Sequence, residues 1–435
     1  MTKKWQPYPT YKDSGVEWLG AIPEHWEVNK LKNVAFINLD TLNEDIQPDY
    51  LLTYIDIGNV TSDGSILETQ EFQFKQAPSR ARRKVKNGDT IISTVRTYLR
   101  AISLIKDPPE NLIVSTGFAV LSPRAEIDSR FLFRFVQSSE FVEKVVAHSE
   151  GVGYPAINPS KLACLPIWLP PLPEQQKIAE FLDQETSKID KLITKKERLI
   201  KLLKEKRTAL ISHAVTKGLN PDVPMKDSGV EWLGEIPEHW EIVPLRSVLE
   251  QRIEYNIGRK TENILSVIKD VGVVNYEDRE ASGNKKSENI EQYKIIYPSD
   301  IVVNRMNLIF GSVGIAREYG ASSTEYYVLK PKSNKVCQEY YGHIFCSKSF
   351  QLSLVGIGKG ILFHRMRIYS EELKKILFPF PPLEEQKLIN EYLIQNLNEI
   401  NHLSDKLNTS IDHLKEYRTA LISAAVTGKI DVREH

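Results

Sequence analysis

The sequence has few cysteines and no long apolar run. Its three cysteines, Cys164, Cys337 and Cys346, stand far apart, which argues against a disulfide framework and against a zinc site of the usual spacing. No stretch approaches the roughly 18 uninterrupted apolar residues that a membrane-spanning helix needs, and the N-terminus has no apolar signal core. We therefore expect a globular cytoplasmic protein with no membrane partner and with its thiols in the core.

An excess of charge of either sign is also absent. The 57 Lys and Arg residues are balanced by 57 Asp and Glu residues, whereas a nucleic-acid binder usually has a basic excess. A neutral total can still hide a basic face, and residues 75–106 hold nine Lys or Arg against a single acid, Asp89. Such a cationic loop fits contact with phosphates, and it is equally typical of a solvated charged surface.

Motifs for catalysis are scarce. The segment DPPE at 107–110 has the Asp-Pro-Pro of an amino-methyltransferase motif, but Glu110 replaces the aromatic residue that would stack on a flipped base. The segment GIGKG at 356–360 has neither the dinucleotide-binding spacing nor the Lys-Ser/Thr pair of a P-loop. The nine histidines show no paired metal-ligand spacing. We therefore expect a proline turn at 107–110, no catalytic residue and no metal site on this chain.

Internal duplication is the strongest positive feature. The segment KDSGVEWLGAIPEHWEV at 12–28 returns as KDSGVEWLGEIPEHWEI at 226–242. We refer to each copy as an IPEHW motif. A weaker likeness links NGDTIIS at 87–93 with PSDIVVN at 298–304. The chain is therefore predicted to contain two copies of one plan, with diverged central parts that share a fold.

Each copy ends in a predicted long helix. PPLPEQQKIAEFL at 170–182 returns as PPLEEQKLINEYL at 381–393, and KEKRTALISHAVT at 204–216 returns as KEYRTALISAAVT at 415–427. The prolines mark where each helix begins, and about 43 residues of helical period would reach roughly 65 Å. We expect these helices to be antiparallel spacers between the globular parts, which would then lie at opposite ends.

Heptad spacing predicts the seam along which the two helices pack. Ile389 and Leu403 are expected on the adjoining stripe, and Lys196 interrupts the seam of the first helix. The predicted seam residues are Leu182, Ile189, Leu203, Leu210, Leu393, Ile400, Leu407, Leu414 and Leu421.

The globular parts are predicted to mix helices and strands, so that the fold class is α+β with two mixed α/β domains in tandem pseudo-repeat. Strands are expected at 51–58, 89–94 and 262–268. One helix is expected over 128–146, capped by an Asp and apolar at Phe131, Phe135, Val142 and Val146, with a counterpart at about 338–355. The predicted domains are 1–168, 169–218 (long helix), 219–379, and 380–435 (long helix and C-terminal tail).

The contrast between repeated and diverged parts carries a functional prediction. Two nearly identical surfaces suit two copies of one partner, and two diverged surfaces suit contact with two different things. The glycine-rich segments GVGYPAINPS at 151–160 and GIGKGILFHRMR at 356–367 differ in charge, since the first is uncharged and the second is basic. Their glycines permit close backbone approach, and their side chains could read different bases. Two glycine-rich turns without such a role fit the same segments.

The IPEHW motif leaves two interpretations open. Trp18, Leu19, Ile22 and Trp26 fit an apolar cap folded over the helices. Tryptophan-rich surfaces are also favoured in protein contacts, so the motif could hold a partner subunit.

The duplicated motifs resemble those of one family. GVEWLGEIPEHWE, PPLEEQ at the start of a long helix, and YRTALISAAVTGKIDV near the C-terminus are similar to the DNA specificity subunits of type I restriction-modification systems, along the whole chain. The resemblance implies target recognition domains that each read one half of a split double-stranded DNA sequence. It also implies two methyltransferase subunits and two restriction (motor and nuclease) subunits as partners, which would carry S-adenosylmethionine, ATP and Mg, and methylation of an adenine in each half.

Three hypotheses follow: a DNA specificity subunit, a coiled-coil adapter without a nucleic-acid role, and a self-contained methyltransferase. The first predicts a bipartite target that is asymmetric, because RARRKVKNGD at 80–89 and ENIEQYKIIYPSD at 288–300 differ in charge and residue type. Because the helices hold the two domains at a fixed distance, the half-sites are expected about 10 base pairs apart. The candidate DNA-binding residues are Arg80, Arg82, Arg83, Lys84, Lys86, Arg96, Arg100, Tyr154, Asn158, Arg305, Asn307, Lys359, His364, Arg365 and Arg367.

Overall fold

The computed structural model describes residues 5–18, 20–269, 271–279, 287, 289–358 and 367–434. The chain divides into two compact units. Unit 1 comprises Met1–Lys196 and Thr409–His435, and unit 2 comprises Glu197–Asn408. Each unit therefore combines one globular half of the chain with a segment from both long helices.

The first half of the chain carries twelve strands and five helices among its described residues. The strands are β1 (Tyr11–Asp13), β2 (Ala21–Pro23), β3 (Glu27–Lys30), β4 (Ala35–Ile37), β5 (Leu51–Ile55), β6 (Gln70–Gln73), β7 (Ala81–Lys84), β8 (Thr90–Ser93), β9 (Ile102–Leu104), β10 (Leu112–Ser115), β11 (Phe118–Pro123) and β12 (Pro166–Leu169). The helices are α1 (Leu31–Val34), α2 (Ser129–Gln137), α3 (Ser139–Ala147), α4 (Pro159–Ala163) and α5 (Leu172–Lys217).

The second half carries the corresponding series. Its strands are β13 (Met225–Asp227), β14 (Glu235–Pro237), β15 (Glu241–Pro244), β16 (Leu249–Gln251), β17 (Leu265–Ile268), β18 (Gly272–Asn275), β19 (Lys294–Ile296), β20 (Ile301–Asn304), β21 (Val313–Ile315), β22 (Gly320–Ser322), β23 (Tyr326–Pro331) and β24 (Leu377–Phe380). Its helices are α6 (Leu245–Val248), α7 (Gln338–Cys346), α8 (Lys348–Ser353), α9 (Ser370–Leu373) and α10 (Leu383–Val426).

The two globular halves share one sheet plan. One four-stranded sheet has the order β4-β11-β8-β9 in unit 1 and β16-β23-β20-β21 in unit 2. The other sheet of unit 1 has the order β6-β5-β10-β7, in which β5 and β10 are parallel. Unit 2 has the pairs β17-β18 and β19-β22 in its place, joined by a parallel bridge between Ile264 and Ala321. The diverged central parts therefore share a fold, as the weak sequence likeness predicted.

The predicted helix over 128–146 is two helices. Asp128 caps α2 as expected, because its carboxylate accepts from the backbone N–H groups of Arg130 and Phe131 at 2.9 and 3.1 Å. The helix stops at Ser138, which has an extended ψ of 148°. The Ser138 hydroxyl caps the next helix, α3. Val146, predicted on the apolar face, is 38% exposed. The same break occurs at Ser347 between α7 and α8.

The long helices run antiparallel, as each unit shows separately. In unit 1 the beginning of α5 packs against the end of α10, and the guanidinium of Arg418 lies 3.0 Å from the Asp190 carboxylate. In unit 2 the end of α5 packs against the beginning of α10. All nine predicted seam residues are buried or half-buried. Leu403, however, is 47% exposed, so its assignment to the adjoining stripe was wrong, whereas Ile389 is fully buried.

Candidate nucleic-acid interface

The turn after β8 in unit 1 presents an arginine and a tyrosine together at the surface. Arg96 has a left-handed backbone with φ 52° and is followed by a 3₁₀ turn at Thr97–Leu99. Its N–H donates to the Pro155 carbonyl at 2.8 Å, which ties the turn to the glycine-rich segment 151–156. The Arg96 guanidinium carbon lies 4.4 Å from the centre of the Tyr154 ring, and Tyr154 is 65% exposed.

The equivalent turn of unit 2 follows β20 and contains a 3₁₀ turn at Leu308–Phe310. Asn307 precedes this 3₁₀ turn and is exposed. It lines a cleft of about 930 Å³ together with Asn304, Tyr276 and Arg279. The Arg279 guanidinium lies 4.3 Å from the Tyr276 ring centre. The cleft therefore places amide, guanidinium and aromatic groups around one space.

Three other candidate residues are committed to contacts within the protein. Arg305 donates to the Glu325 carboxylate at 2.6 and 2.9 Å, and this carboxylate raises the pKa of Arg305. Arg100 donates to the Ser139 hydroxyl at 3.3 Å. The side-chain oxygen of Asn158 accepts from the Ser160 N–H at 2.8 Å and so caps α4. Arg305 and Arg100 therefore use part of their donor capacity within the protein.

The expected cationic loop at 75–106 is not a loop. Its residues form strand β7, a turn and strand β8, and the two strands lie in different sheets. Arg82 lies 5.0 Å from the Phe74 ring centre and is half-buried. Arg83 donates to the Thr41 hydroxyl at 3.3 Å. The strand lies at the edge of its sheet, where Ala81 is buried, Arg82 and Arg83 are half-buried and Lys84 is exposed.

The cations at and near the ends of β7 differ in their surroundings. Arg80 and Lys84 are exposed, whereas the Lys86 ammonium lies 2.6 Å from the Asp40 carboxylate. This pair raises the pKa of Lys86 and lowers that of Asp40. In unit 2 the equivalent strand, β19, carries the buried Lys294, whose pKa is lowered by burial. Among the described residues, the basic edge strand of unit 1 therefore has no basic counterpart in unit 2.

The remaining candidates and motifs lie apart from these turns. Arg367 is exposed, and Lys359, His364 and Arg365 lie outside the described residues. DPPE lies in the connection between β9 and β10, where Asp107 has φ 44° and its N–H donates to the Asn87 side chain at 2.9 Å. Within the described ranges no group of three His, Cys, Asp or Glu could hold a metal ion, and no helix is long and apolar enough to cross a membrane.

The IPEHW motif is anchored to the first turn of a long helix by one carboxylate. In unit 1 Glu174 accepts from the Tyr8 hydroxyl at 2.6 Å and from the Trp26 indole at 3.0 Å, and it lies 2.7 Å from the His25 ring nitrogen. Ile22 and Trp26 are fully buried and Trp18 is half-buried, as an apolar cap requires. Leu19 lies outside the described residues.

Unit 2 repeats the anchor. The Trp240 indole donates to Glu385 at 3.0 Å, and the His239 ring nitrogen lies 2.8 Å from the same carboxylate. The sequence analysis missed both glutamates as partners of the motif. The sequence signal that could have revealed these glutamates is the Glu-Gln pair that both copies retain after the prolines, Glu174-Gln175 and Glu385-Gln386.

Each long helix also ends against an IPEHW motif. Gly428, at the end of α10, has φ 73°, and a Cβ atom there would overlap Pro23 and meet Trp26 at 3.2 Å. Gly218, at the end of α5, has φ 72°, and a Cβ atom there would lie 3.3 Å from the Trp240 ring. The duplicated segments of sequence are therefore packed against one another in both units.

Comparison with known protein families gives one match in each half of the chain. The model of the type I restriction modification DNA specificity domain matches residues 23–202 and again 237–413. The chain belongs to this family. A specificity subunit of a type I restriction enzyme from Methanocaldococcus jannaschii, described as putative, is 26% identical over 431 residues, which cover 95% of this chain and 96% of that protein.

Solved structures support the fold of a specificity subunit. A chain from a study of type I restriction-modification complex assembly matches 93% of this chain and 98% of its own length, with a TM-score of 0.70 and 20% identity. The HsdS subunit of Thermoanaerobacter tengcongensis matches 94% of this chain and 98% of its own length, with a TM-score of 0.51 and 21% identity. With the family match, these similarities make the chain a DNA-recognition subunit.

Proposed function

We propose that this chain reads a bipartite, asymmetric DNA target and holds the methyltransferase subunits that modify it. The observation that supports this proposal is that equivalent turns of one shared fold present different side chains, Arg96 in unit 1 and Asn307 in unit 2. Two halves with the same reading side chains would recognise the same sequence twice. Two halves with different ones recognise two sequences, because base edges are distinguished by the donors and acceptors that contact them.

The two IPEHW motifs and the helix ends beside them are the proposed docking surfaces for the methyltransferase. Their buried tryptophans keep the motifs folded, while the repeated side chains Asp13, Glu17, Glu24 and Glu27 are exposed and acidic, which makes these faces unsuitable for phosphate contact. Two equivalent surfaces imply two methyltransferase subunits per chain, and two restriction subunits join through them. Native mass spectrometry of the assembled complex should show two methyltransferase chains, and saturation at one would contradict this stoichiometry.

The chemistry is proposed to reside on the partner chains. S-adenosylmethionine, ATP and Mg would bind the methyltransferase and restriction subunits, which act in the cytoplasm. If this chain alone bound S-adenosylmethionine, the alternative of a self-contained methyltransferase would replace the proposal. If this chain showed no salt-sensitive DNA binding, a coiled-coil adapter without a nucleic-acid role would be the better description.

The most direct test of DNA recognition uses the chain with its methyltransferase. Methylation of a plasmid library, read by sequencing that detects methyladenine, should reveal one motif of two unlike halves separated by unread base pairs. A palindromic motif, or a motif with a single continuous half, would contradict the proposal.

A further inference from the structure

The turns after β8 and β20 occupy equivalent places in the shared fold, although Arg96 has a left-handed backbone with φ 52° and Asn307 has φ −127°. Each turn connects the third strand of its four-stranded sheet to the fourth, and the two sheets have the same strand order. Each contains one 3₁₀ turn, which ends in a left-handed residue, Arg100 with φ 56° or Gly311 with φ 89°. The residue immediately before the 3₁₀ turn is Arg96 in unit 1 and Asn307 in unit 2.

We propose that this one position selects a base in each half-site: Arg96 selects a guanine in the first half-site, and Asn307 selects an adenine in the second. The proposal rests on the DNA-recognition function above and assigns base reading to particular residues. A guanidinium can donate two hydrogen bonds to O6 and N7 of guanine. An asparagine amide can accept from N6 and donate to N7 of adenine.

The surroundings of Arg96 prepare it for this role. A left-handed backbone is unusual for arginine, and such conformations often occur at functional positions. The Tyr154 ring supports one face of the guanidinium at 4.4 Å, which leaves the edge donors available. In the part of the chain that the structure describes, no carboxylate lies within ion-pair distance of Arg96, in contrast to Arg305 and Lys86.

The surroundings of Asn307 are those of a recognition cleft. Its neighbour Asn304 uses its side-chain oxygen to accept from the Met306 N–H at 3.0 Å, which fixes the turn. The Asn307 side chain makes no hydrogen bond to another described residue and faces the cleft of about 930 Å³. Its carbonyl and amino groups are therefore both available to a base edge.

The test exchanges the reading side chain without changing the backbone that it requires. Asparagine tolerates a left-handed backbone better than most residues, so Arg96→Asn should keep the turn. The matched control is Arg124→Asn, because the Arg124 guanidinium also lies over an aromatic ring of unit 1, 3.8 Å from the centre of Phe36. Each variant is assembled with the methyltransferase and presented with a randomised double-stranded DNA library, and thermal melting verifies folding.

The expected result is a change at one base pair. Arg96→Asn should reduce the preference for guanine at one position of the first half-site by about 5- to 150-fold, the range that one bidentate contact supplies, or shift it to adenine. The second half-site and the Arg124→Asn motif should be unchanged. Asn307→Ala should relax one adenine of the second half-site in the same way.

Two results would overturn the assignment. One is an Arg96→Asn complex that selects the wild-type motif at every position. The other is a folded Arg96→Asn complex that loses affinity equally for all sequences, which would make Arg96 a phosphate contact. If the wild-type complex selects no sequence at all, the DNA-recognition function itself fails, and this outcome is distinct from both.

Discussion

The Trp26 indole donates a hydrogen bond to the Glu174 carboxylate at 3.0 Å. The two residues stand 148 positions apart and belong to different duplicated segments of the sequence. Because Trp240 and Glu385 repeat the contact at the same distance, each unit has a hydrogen bond between an IPEHW motif and a long helix, which is buried in unit 1 and partly exposed in unit 2. This link joins the globular half to the helix that supports it.

Removing the carboxylate should therefore destabilise unit 1. Glu174→Ala leaves the buried Trp26 and Tyr8 donors without their acceptor, at a cost on the order of 3 kcal/mol or more. Glu385→Ala should cost less, because the Glu385 side chain is 27% exposed, against 7% for Glu174. Chemical denaturation monitored by hydrogen exchange would measure the loss of stability and show which unit loses it. Glu384→Ala, at an adjacent carboxylate that is 81% exposed, is the control, and an equal loss there would contradict the role of the anchor.

The basic edge strand should contribute a salt-dependent part of DNA binding. Replacing Arg80, Arg82 and Arg83 with Ala should weaken binding and flatten its dependence on salt, because each lost phosphate contact lowers the logarithmic slope by about 0.9. Titration at several salt concentrations measures this slope. Lys86→Ala should have a smaller effect, since Lys86 is already paired with Asp40. Unchanged binding by the triple variant would make the strand an ordinary solvated surface.

Unit 2 should lose stability in mild acid because of His343. Its ring nitrogen lies 3.0 Å from the Asn390 side chain. Burial, together with the charge of Arg207, lowers the pKa of His343, although the hydrogen bond to Asn390 and the charge of Glu339 oppose this. The folded state then binds fewer protons than the unfolded chain, so stability falls as the pH drops below 6.5. The slope contributed by this one group is at most about 1.4 kcal/mol per pH unit.

A substitution isolates this group from the other titrating residues. His343→Gln keeps a polar partner for Asn390 and should reduce the loss of stability between about pH 7.5 and pH 5, as measured by hydrogen exchange in α7 and α10. The equivalent residue of unit 1, Arg134, is paired with Asp183 at 2.8 Å and does not titrate in this range. An unchanged pH dependence in the variant would show that His343 does not carry the effect.

The sequence was informative where a pattern is local or repeated. Heptads and prolines predicted two long helices, and the internal likeness predicted that they run antiparallel and that both halves share one fold. The sequence did not show that residues 75–106 cross between two sheets, because the three consecutive cations of β7, Arg82 to Lys84, hide any strand alternation. A run of like charge suggests a loop, but an edge strand can also carry charged side chains.

Long-range contacts were the other source of error. Nothing in the local sequence pairs Glu174 with Trp26, since the contact forms only when the globular half folds back on the helix. The pairing of Arg96 with Tyr154 was missed for the same reason, although both residues were candidates. Ser138 ends α2 through its own backbone and side-chain hydrogen bonds, which compete with helical period in a way that apolar spacing does not reveal.

The measurement that most directly tests independent recognition by the two halves is an exchange of one half. Residues 28–165 would be replaced by the matching domain of another specificity subunit, with residues 12–27, the second IPEHW motif and both long helices retained, and the methylated motif would be mapped. Only the half-site read by the exchanged domain should change. A change in both half-sites, or in neither, would contradict modular recognition.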